Sequence, residues 1–365
     1  MRTVNNRHKV TTLFILGAVA SKSITKNNKP NSETTTPLDF EFTGRIASVE
    51  SKRNHKWVNE SKKRVIEKFL YHTKFHELGL ERAISQQISD LDFLKAINPR
   101  RGNQNVDPID YLEDVTHLIS YILFKARIRD TRILEKFISK YFDYDDPQHC
   151  PNRIITFNYD TLIDSYLLRK FKNPQSVYFD SILHSQNSKK SKIDYSHPII
   201  LKLHGSTNWK CTKTEFKKIF EQNDATIIDK SKTKTYNTEG CHYIEKIWVD
   251  KKLENPGNDI FPLIIPPIPD KPITNVSIFR YLWTYAFEYL SECQEVVVSG
   301  YSLPDTDSLA TSLFSKFKNT RLKKLTIIDP SPTTVLKWVA LFNRNGISTF
   351  KTEYYTDFEE YLKKL

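Results

Sequence analysis

Short apolar runs rich in β-branched residues, each too brief for a helix, constrain this chain more than any other feature. They lie at residues 13–16, 153–157, 199–203, 261–265, 295–299, 324–328 and 347–350. A strand covered on both faces reads as such a continuous stretch, because it has no solvent side to alternate with. Between several of these runs apolar residues recur at helical spacing, as in Leu309, Leu313, Phe314 and Phe317, and over 279–290 and 333–342. Strand–helix alternation of this kind predicts an α/β fold, a doubly wound, mostly parallel Rossmann-like sheet.

The alternation breaks between 52 and 148. There Val65, Ile66, Phe69 and Leu70, then Leu112, Val115, Leu118, Ile119 and Ile122, keep helical spacing without strand-like runs. This predicts a helical insertion at 52–148, with 1–51 supplying a first strand and nucleotide loop and 149–365 the remainder of the sheet domain. Polar tracts near 181–197 and 223–240 read as exposed loops.

Composition narrows the function classes. With 365 residues, 39% of them hydrophobic, the chain can bury a sizeable core. No run approaches the ~18 consecutive apolar residues of a membrane span. The net charge is +12, and about +8 of it falls before residue 71. An anionic partner fits that balance, but no nucleic-acid-binding motif accompanies it, and solvated lysines explain it as well. Cys150, Cys211, Cys241 and Cys293 never stand at the two-residue spacing of zinc sites. No metal site is expected, and sparse cysteines suit a reducing cytoplasm.

The first twenty residues admit two readings. Arg2, Arg7 and Lys9 before the apolar run 13–16, followed by Ala18, Val19 and Ala20, resemble a secretory signal. Alternatively the run is a buried first strand, and Gly17, Ala18, Val19, Ala20 and Ser21 form a small-residue turn whose backbone can approach an anion.

In open parallel sheets, functional groups collect just past the carboxyl ends of the strands. Four such ends here carry Asn158 and Asp160, then His204 and Gly205, then Gly300, Tyr301 and Ser302, then Asp329. That set fits a nucleotide whose sugar is to be activated. Gly17, Ala18, Ser21, Gly300 and Ser302 can offer donors to a pyrophosphate, and Asp329 can accept ribose hydroxyls. His204 can take a proton from a hydroxyl or water, Asn158 can orient it, and Asp160 can receive a carboxamide N–H.

These elements resemble those of sirtuins. Thr156-Phe157-Asn158-Tyr159-Asp160 is similar to their Thr-Gln-Asn-Ile-Asp element and Leu203-His204-Gly205-Ser206 to their catalytic His-Gly element. Gly300-Tyr301-Ser302-Leu303 resembles Gly-Thr-Ser-Leu, and Gly17-Ala18-Val19-Ala20-Ser21 resembles the opening Gly-Ala-Gly-Ala-Ser loop. With His204 to Trp209, Pro266-Pro267, Lys271 and Asp307, the set resembles the bacterial sirtuin-like proteins of phage defence more than the deacetylases. The four-cysteine zinc module of the deacylases is missing from the sequence, and Pro37-Leu38-Asp39-Phe40 runs into Glu41 rather than arginine. Deacylation is therefore not expected. Val19 stands where the family has a second loop glycine.

The resemblance implies hydrolysis of NAD+ to nicotinamide and ADP-ribose, depleting the cell of the cofactor in abortive infection. Asn158 and His204 would be catalytic, and Gly17, Ala18, Ser21, Asp160, Gly300, Ser302 and Asp329 would bind substrate. No cofactor beyond NAD+ as substrate and no zinc are implied. It implies a cytoplasmic homo-oligomer, with a companion such as a HerA-type ATPase or an Argonaute-like protein, and neither membrane nor direct nucleic-acid binding. The alternative is a catalytically silent module that senses NAD or ADP-ribose within a defence complex.

Overall fold

A computed structural model of the chain describes residues 10–25, 34–49, 56–65, 79–97, 107–128, 130–145, 149–171, 177–178, 198–221, 248–249, 260–268, 271–273, 276–304, 307–347 and 350–364. The elements run β1 (Thr12–Leu16), α1 (Ala18–Ile24), α2 (Asp39–Ser48), α3 (Lys56–Val65), α4 (Leu80–Ile97), α5 (Pro108–Phe124), α6 (Arg132–Tyr141), β2 (Arg153–Thr156), α7 (Leu162–Phe171) and β3 (Ile200–Lys202). They continue with β4 (Gly205–Thr212), α8 (Lys213–Glu221), β5 (Trp248–Val249), β6 (Ile260–Ile264), α9 (Ser277–Glu292), β7 (Glu295–Ser299), α10 (Ser308–Lys316), β8 (Lys324–Ile328), α11 (Pro332–Arg344), β9 (Lys351–Tyr355) and α12 (Phe358–Lys363). Two compact units emerge, one of residues 1–35, 127–203 and 281–365, the other of 36–126 and 204–280.

The first unit is a six-stranded sheet in the order β3-β2-β1-β7-β8-β9, parallel throughout. It is a doubly wound α/β sheet of Rossmann type. Strand β1, read from sequence either as a signal or as a strand, is an inner strand with every side chain buried. Its phenylalanine anchors one face: the Phe14 ring meets Phe137 edge-on at 4.9 Å and Tyr141 at 4.7 Å, both on α6. On β7 and β8 only the first residue escapes full burial. Trp338 of α11, fully buried, packs edge-on against Phe314 of α10 at 4.8 Å.

The second unit holds α2 to α5, α8 and a three-stranded antiparallel sheet in the order β5-β4-β6. The run at 261–265 was expected in the parallel sheet; as β6 it instead pairs antiparallel with β4, Cys211 opposite Phe261. Strand β4 escapes the apolar pattern because Ser206, Thr207, Asn208 and Lys210 are polar, although all are buried.

Two further boundaries differ from the sequence reading. The last strand is β9 rather than 347–350. Ile347 belongs to the turn that ends α11, its amide donating to the Phe342 carbonyl at 3.1 Å, while β9 is a half-exposed edge strand of mixed polarity. The helical stretch 52–148 contains α3 to α6, but α6 falls in the first unit and α2 joins the second. The tracts 181–197 and 223–240 lie outside the described residues. Among the described residues no helix is long and apolar enough to cross a membrane.

Candidate active site

Register brings the strand ends of the first unit to one edge. Leu16 of β1 stands opposite Thr156 of β2 and Ser299 of β7, Thr156 opposite Lys202 of β3, and Ser299 opposite Ile328 of β8. The residues that follow, Gly17, Asn158, Gly300 and Asp329, therefore emerge on the same side. Chain order reverses between β1 and β7, and in open α/β sheets that switch point opens the crevice where ligands bind.

Gly17 and Gly300 meet at this switch point. The Gly17 amide donates to the Ser299 carbonyl at 2.9 Å, and the Val19 amide to the Gly300 carbonyl at 3.3 Å. A methyl on Gly17 would fall 2.3 Å from the Gly300 oxygen, so a Cβ has no room. Residues 18–21, anticipated as a loop, are the first turn of α1 with Gly17 as its N-cap. The Ala20 amide donates to the Gly17 carbonyl at 3.0 Å and the Gly300 amide to the Ile328 carbonyl at 2.9 Å, so four amides expected to face a phosphate bond to the protein itself, whereas the Ala18 amide has no backbone acceptor among the described residues.

Asn158 is clamped from two sides. Its Nδ2 donates to the Gly17 carbonyl at 2.8 Å and to Ser21 Oγ at 2.9 Å, and its own amide donates to Thr156 Oγ1 at 3.1 Å. A backbone carbonyl only accepts, so the atom facing Gly17 must be the amide nitrogen. Both its hydrogens are then committed, and the side-chain oxygen is left as the acceptor that a water or a sugar hydroxyl can use.

Asp160 lies behind this clamp. Its Oδ2 accepts from Ser21 Oγ at 2.7 Å and its Oδ1 from the Leu162 amide at 3.1 Å. Burial raises its pKa, the nearby Lys202 ammonium and the Ser21 hydroxyl opposing the rise. The carboxylate expected to hold a carboxamide is engaged with protein groups. Ser21, almost fully buried, likewise bonds inward.

Sequence reasoning passed over the layer beneath. Lys202, fully buried, donates through Nζ to the Asp160 carbonyl and to Asp164 Oδ2 at 2.9 Å, and the Tyr178 hydroxyl donates to the same Asp164 oxygen at 2.6 Å. A lysine inside the otherwise apolar run 199–203 is the signal that marks it, since a buried ammonium needs a partner.

On the other side of the switch point, Gly300 adopts φ 63° and Leu303 φ 52°, the latter a left-handed conformation that a leucine seldom takes. Tyr301 stacks on Phe157 at 4.1 Å, and Ser302 is exposed. Asp329 is buried, its Oδ1 accepting from the Ser331 amide at 2.8 Å. His204 belongs to the second unit; it is buried and its carbonyl accepts from the Ile265 amide at 2.8 Å. Among the described residues no three His, Cys, Asp or Glu side chains gather as a metal site would require.

A parallel sheet with a glycine-lined switch point and a clamped asparagine places the chain among doubly wound α/β proteins of Rossmann type. The SIR2-like domain family matches residues 152–349, more than half of the chain, and the chain belongs to that family. The family points to NAD-related chemistry. No curated protein matches the chain.

Proposed function

We propose that this protein hydrolyses NAD+ at the nicotinamide–ribose bond, releasing nicotinamide and ADP-ribose, and that it depletes NAD+ in anti-phage defence. The observation that carries this reading is the orientation of Asn158. Its amide nitrogen is tied to Gly17 and Ser21, so its oxygen is preset to accept a hydrogen bond at the carboxyl edge of the sheet. Presetting an acceptor costs nothing at the moment of reaction, which is the condition for positional catalysis.

In this mechanism Asn158 holds the attacking water or a ribose hydroxyl. The bond between C1′ and the pyridinium nitrogen breaks with its electron pair passing to the ring, which neutralises the leaving group. Positive charge spreads over C1′ and the ring oxygen, as in other glycosidic cleavages. The water oxygen bonds to C1′ and its proton goes to His204 as general base; where His204 instead anchors the ribose, that proton passes to solvent water. The Ala18 amide and Ser302 donate on the pyrophosphate side, which Gly17 and Gly300 shape through their own bonds to Ser299 and Ile328, and Asp329 takes the adenosine ribose. Ser21 and Asp160 act from behind, through Asn158. No zinc takes part.

The test is nicotinamide release from NAD+ by the purified protein, with Asn158→Ala and His204→Ala beside it, at low and high protein concentration and with the native mass recorded. Turnover lost by about 100-fold or more in both variants is the expected result, and full turnover in either would refute its role. A rise in specific activity with oligomer formation would support control by self-assembly, and a fully active monomer would remove it. A second reading, a silent NAD or ADP-ribose sensor, draws on the Val19 amide being occupied by the Gly300 carbonyl. It predicts ADP-ribose binding without turnover, with or without a companion ATPase or Argonaute-like protein.

A further inference from the structure

The hydrogen bonds around Asn158 have a direction. Asn158 Nδ2 donates to Ser21 Oγ, and Ser21 Oγ donates to Asp160 Oδ2. The nitrogen cannot turn round, because its other hydrogen is held by the Gly17 carbonyl. Ser21 must therefore give its own proton away, and Asp160 must be there as an acceptor. A protonated Asp160 would donate toward Ser21 instead of accepting from it, so the Ser21 proton would lose its acceptor and the directed relay would end at the hydroxyl.

Two things endanger that acceptor: the position of the turn that carries it and its ionisation. Lys202 bears on both. From β3 its ammonium grips the Asp160 carbonyl and Asp164 Oδ2, so the turn after β2 is tied to the neighbouring strand. The same cation stands next to a carboxylate that burial would otherwise push toward the neutral form. We propose that Lys202 is a positioning residue that, through Asp160 and Ser21, fixes the side-chain orientation of Asn158. This rests on the hydrolase reading above, and it adds a residue of β3 that touches neither substrate nor Asn158.

The groups facing Asp160 are Lys202 from β3, Ser21 from α1, and the Leu162 amide and Asp164 of α7. Among the described residues Lys202 is the cation acting on Asp160, and taking it away leaves Asp164, which raises the Asp160 pKa further. The acid limb of the activity profile should then move to higher pH, since protonation of Asp160 breaks the relay.

The experiment compares the whole protein with Lys202→Met. Where that single change fails to fold, Lys202→Met/Asp164→Asn replaces it, which removes both charges and leaves Tyr178 an acceptor. Two quantities are read: nicotinamide release against NAD+ concentration and pH, and hydrogen exchange of the Asn158 side-chain amide by NMR, its signal identified by its loss in Asn158→Ala. The expected result is kcat down about 10- to 100-fold with KM nearly unchanged, the acid limb shifted upward, and the Asn158 amide exchanging at least about 10-fold faster. A folded variant in which either kcat or the exchange rate stays at the wild-type value overturns the proposal. If the wild-type protein does not hydrolyse NAD+, the functional reading fails by itself. The exchange rate then decides alone, an unchanged rate overturning the role of Lys202 and a faster one supporting it.

Discussion

Gly300 shows how much a single position can hold. With φ at 63°, a methyl there would lie 2.3 Å from the Ala20 nitrogen and 2.6 Å from Val19 Cβ. Neither neighbour is the free end of a flexible side chain, so the backbone of α1 would have to move. Gly300→Ala should therefore destabilise the protein by about 2–4 kcal/mol; an unchanged urea midpoint would mean that α1 does not approach this closely. The prediction also marks a limit of sequence reading. Gly17 and Gly300 stand out in the sequence as glycines after strands, which suits backbone approach to a phosphate. In the fold they let two loops approach each other, and small residues at two distant strand ends look the same whichever need they meet. Asn158 and Asp160 were legible as polar residues at a strand end. That one faces out and the other supports it from behind depends on Ser21 and Lys202, which reach them from other strand ends.

At the scale of elements, the loop between β7 and α10 is built by a cap that also serves the site. Asp307 accepts from the Ala310 amide at 3.4 Å as the N-cap of α10, and from the Tyr301 hydroxyl at 3.0 Å. Tyr301 in turn stacks on Phe157 beside Asn158. Asp307→Ala should cost about 1–3 kcal/mol, since a helix cap and a buried acceptor are lost together, and Asp307→Asn should recover most of it. Equal denaturation midpoints for wild type and the alanine variant would rule the cap out. Strands β1, β2, β3, β7 and β8 were legible because both their faces are covered, which leaves a continuous apolar run. The same criterion failed for β4 and β9. In β4 the buried positions are polar, with Ser206 Oγ bonded to Asn208 at 2.6 Å, and in β9 the strand lies at the sheet edge where Lys351 and Thr352 face solvent.

Across the whole molecule, the second unit carries a group that makes it sensitive to mild acid. His117 on α5 lies against Phe261 of β6 with ring centroids 4.0 Å apart, and burial lowers its pKa to about 4. The unfolded chain takes up a proton near pH 6.5 while the native protein refuses it until about pH 4. The stability His117 contributes is thus full above pH 6.5 and declines as the pH falls through that window, by about 2 kcal/mol at pH 5. Glu113, one turn earlier on α5, works with the opposite sign. Burial raises its pKa against the pull of Lys213 and Lys217, so its native form binds a proton more readily than the unfolded chain and gains stability in acid. A plain pH titration of stability mixes the two. Comparing the wild type with His117→Phe separates them, because Glu113 is common to both and an aromatic ring is kept against Phe261. Urea unfolding followed by tryptophan fluorescence, with Trp209 of β4 reporting on this unit, should show the wild type losing about 2 kcal/mol more than His117→Phe between pH 7 and pH 5. Parallel pH curves for the two proteins would mean that His117 takes up its proton in the native state as readily as in the unfolded chain, so that its burial is not what sets its charge.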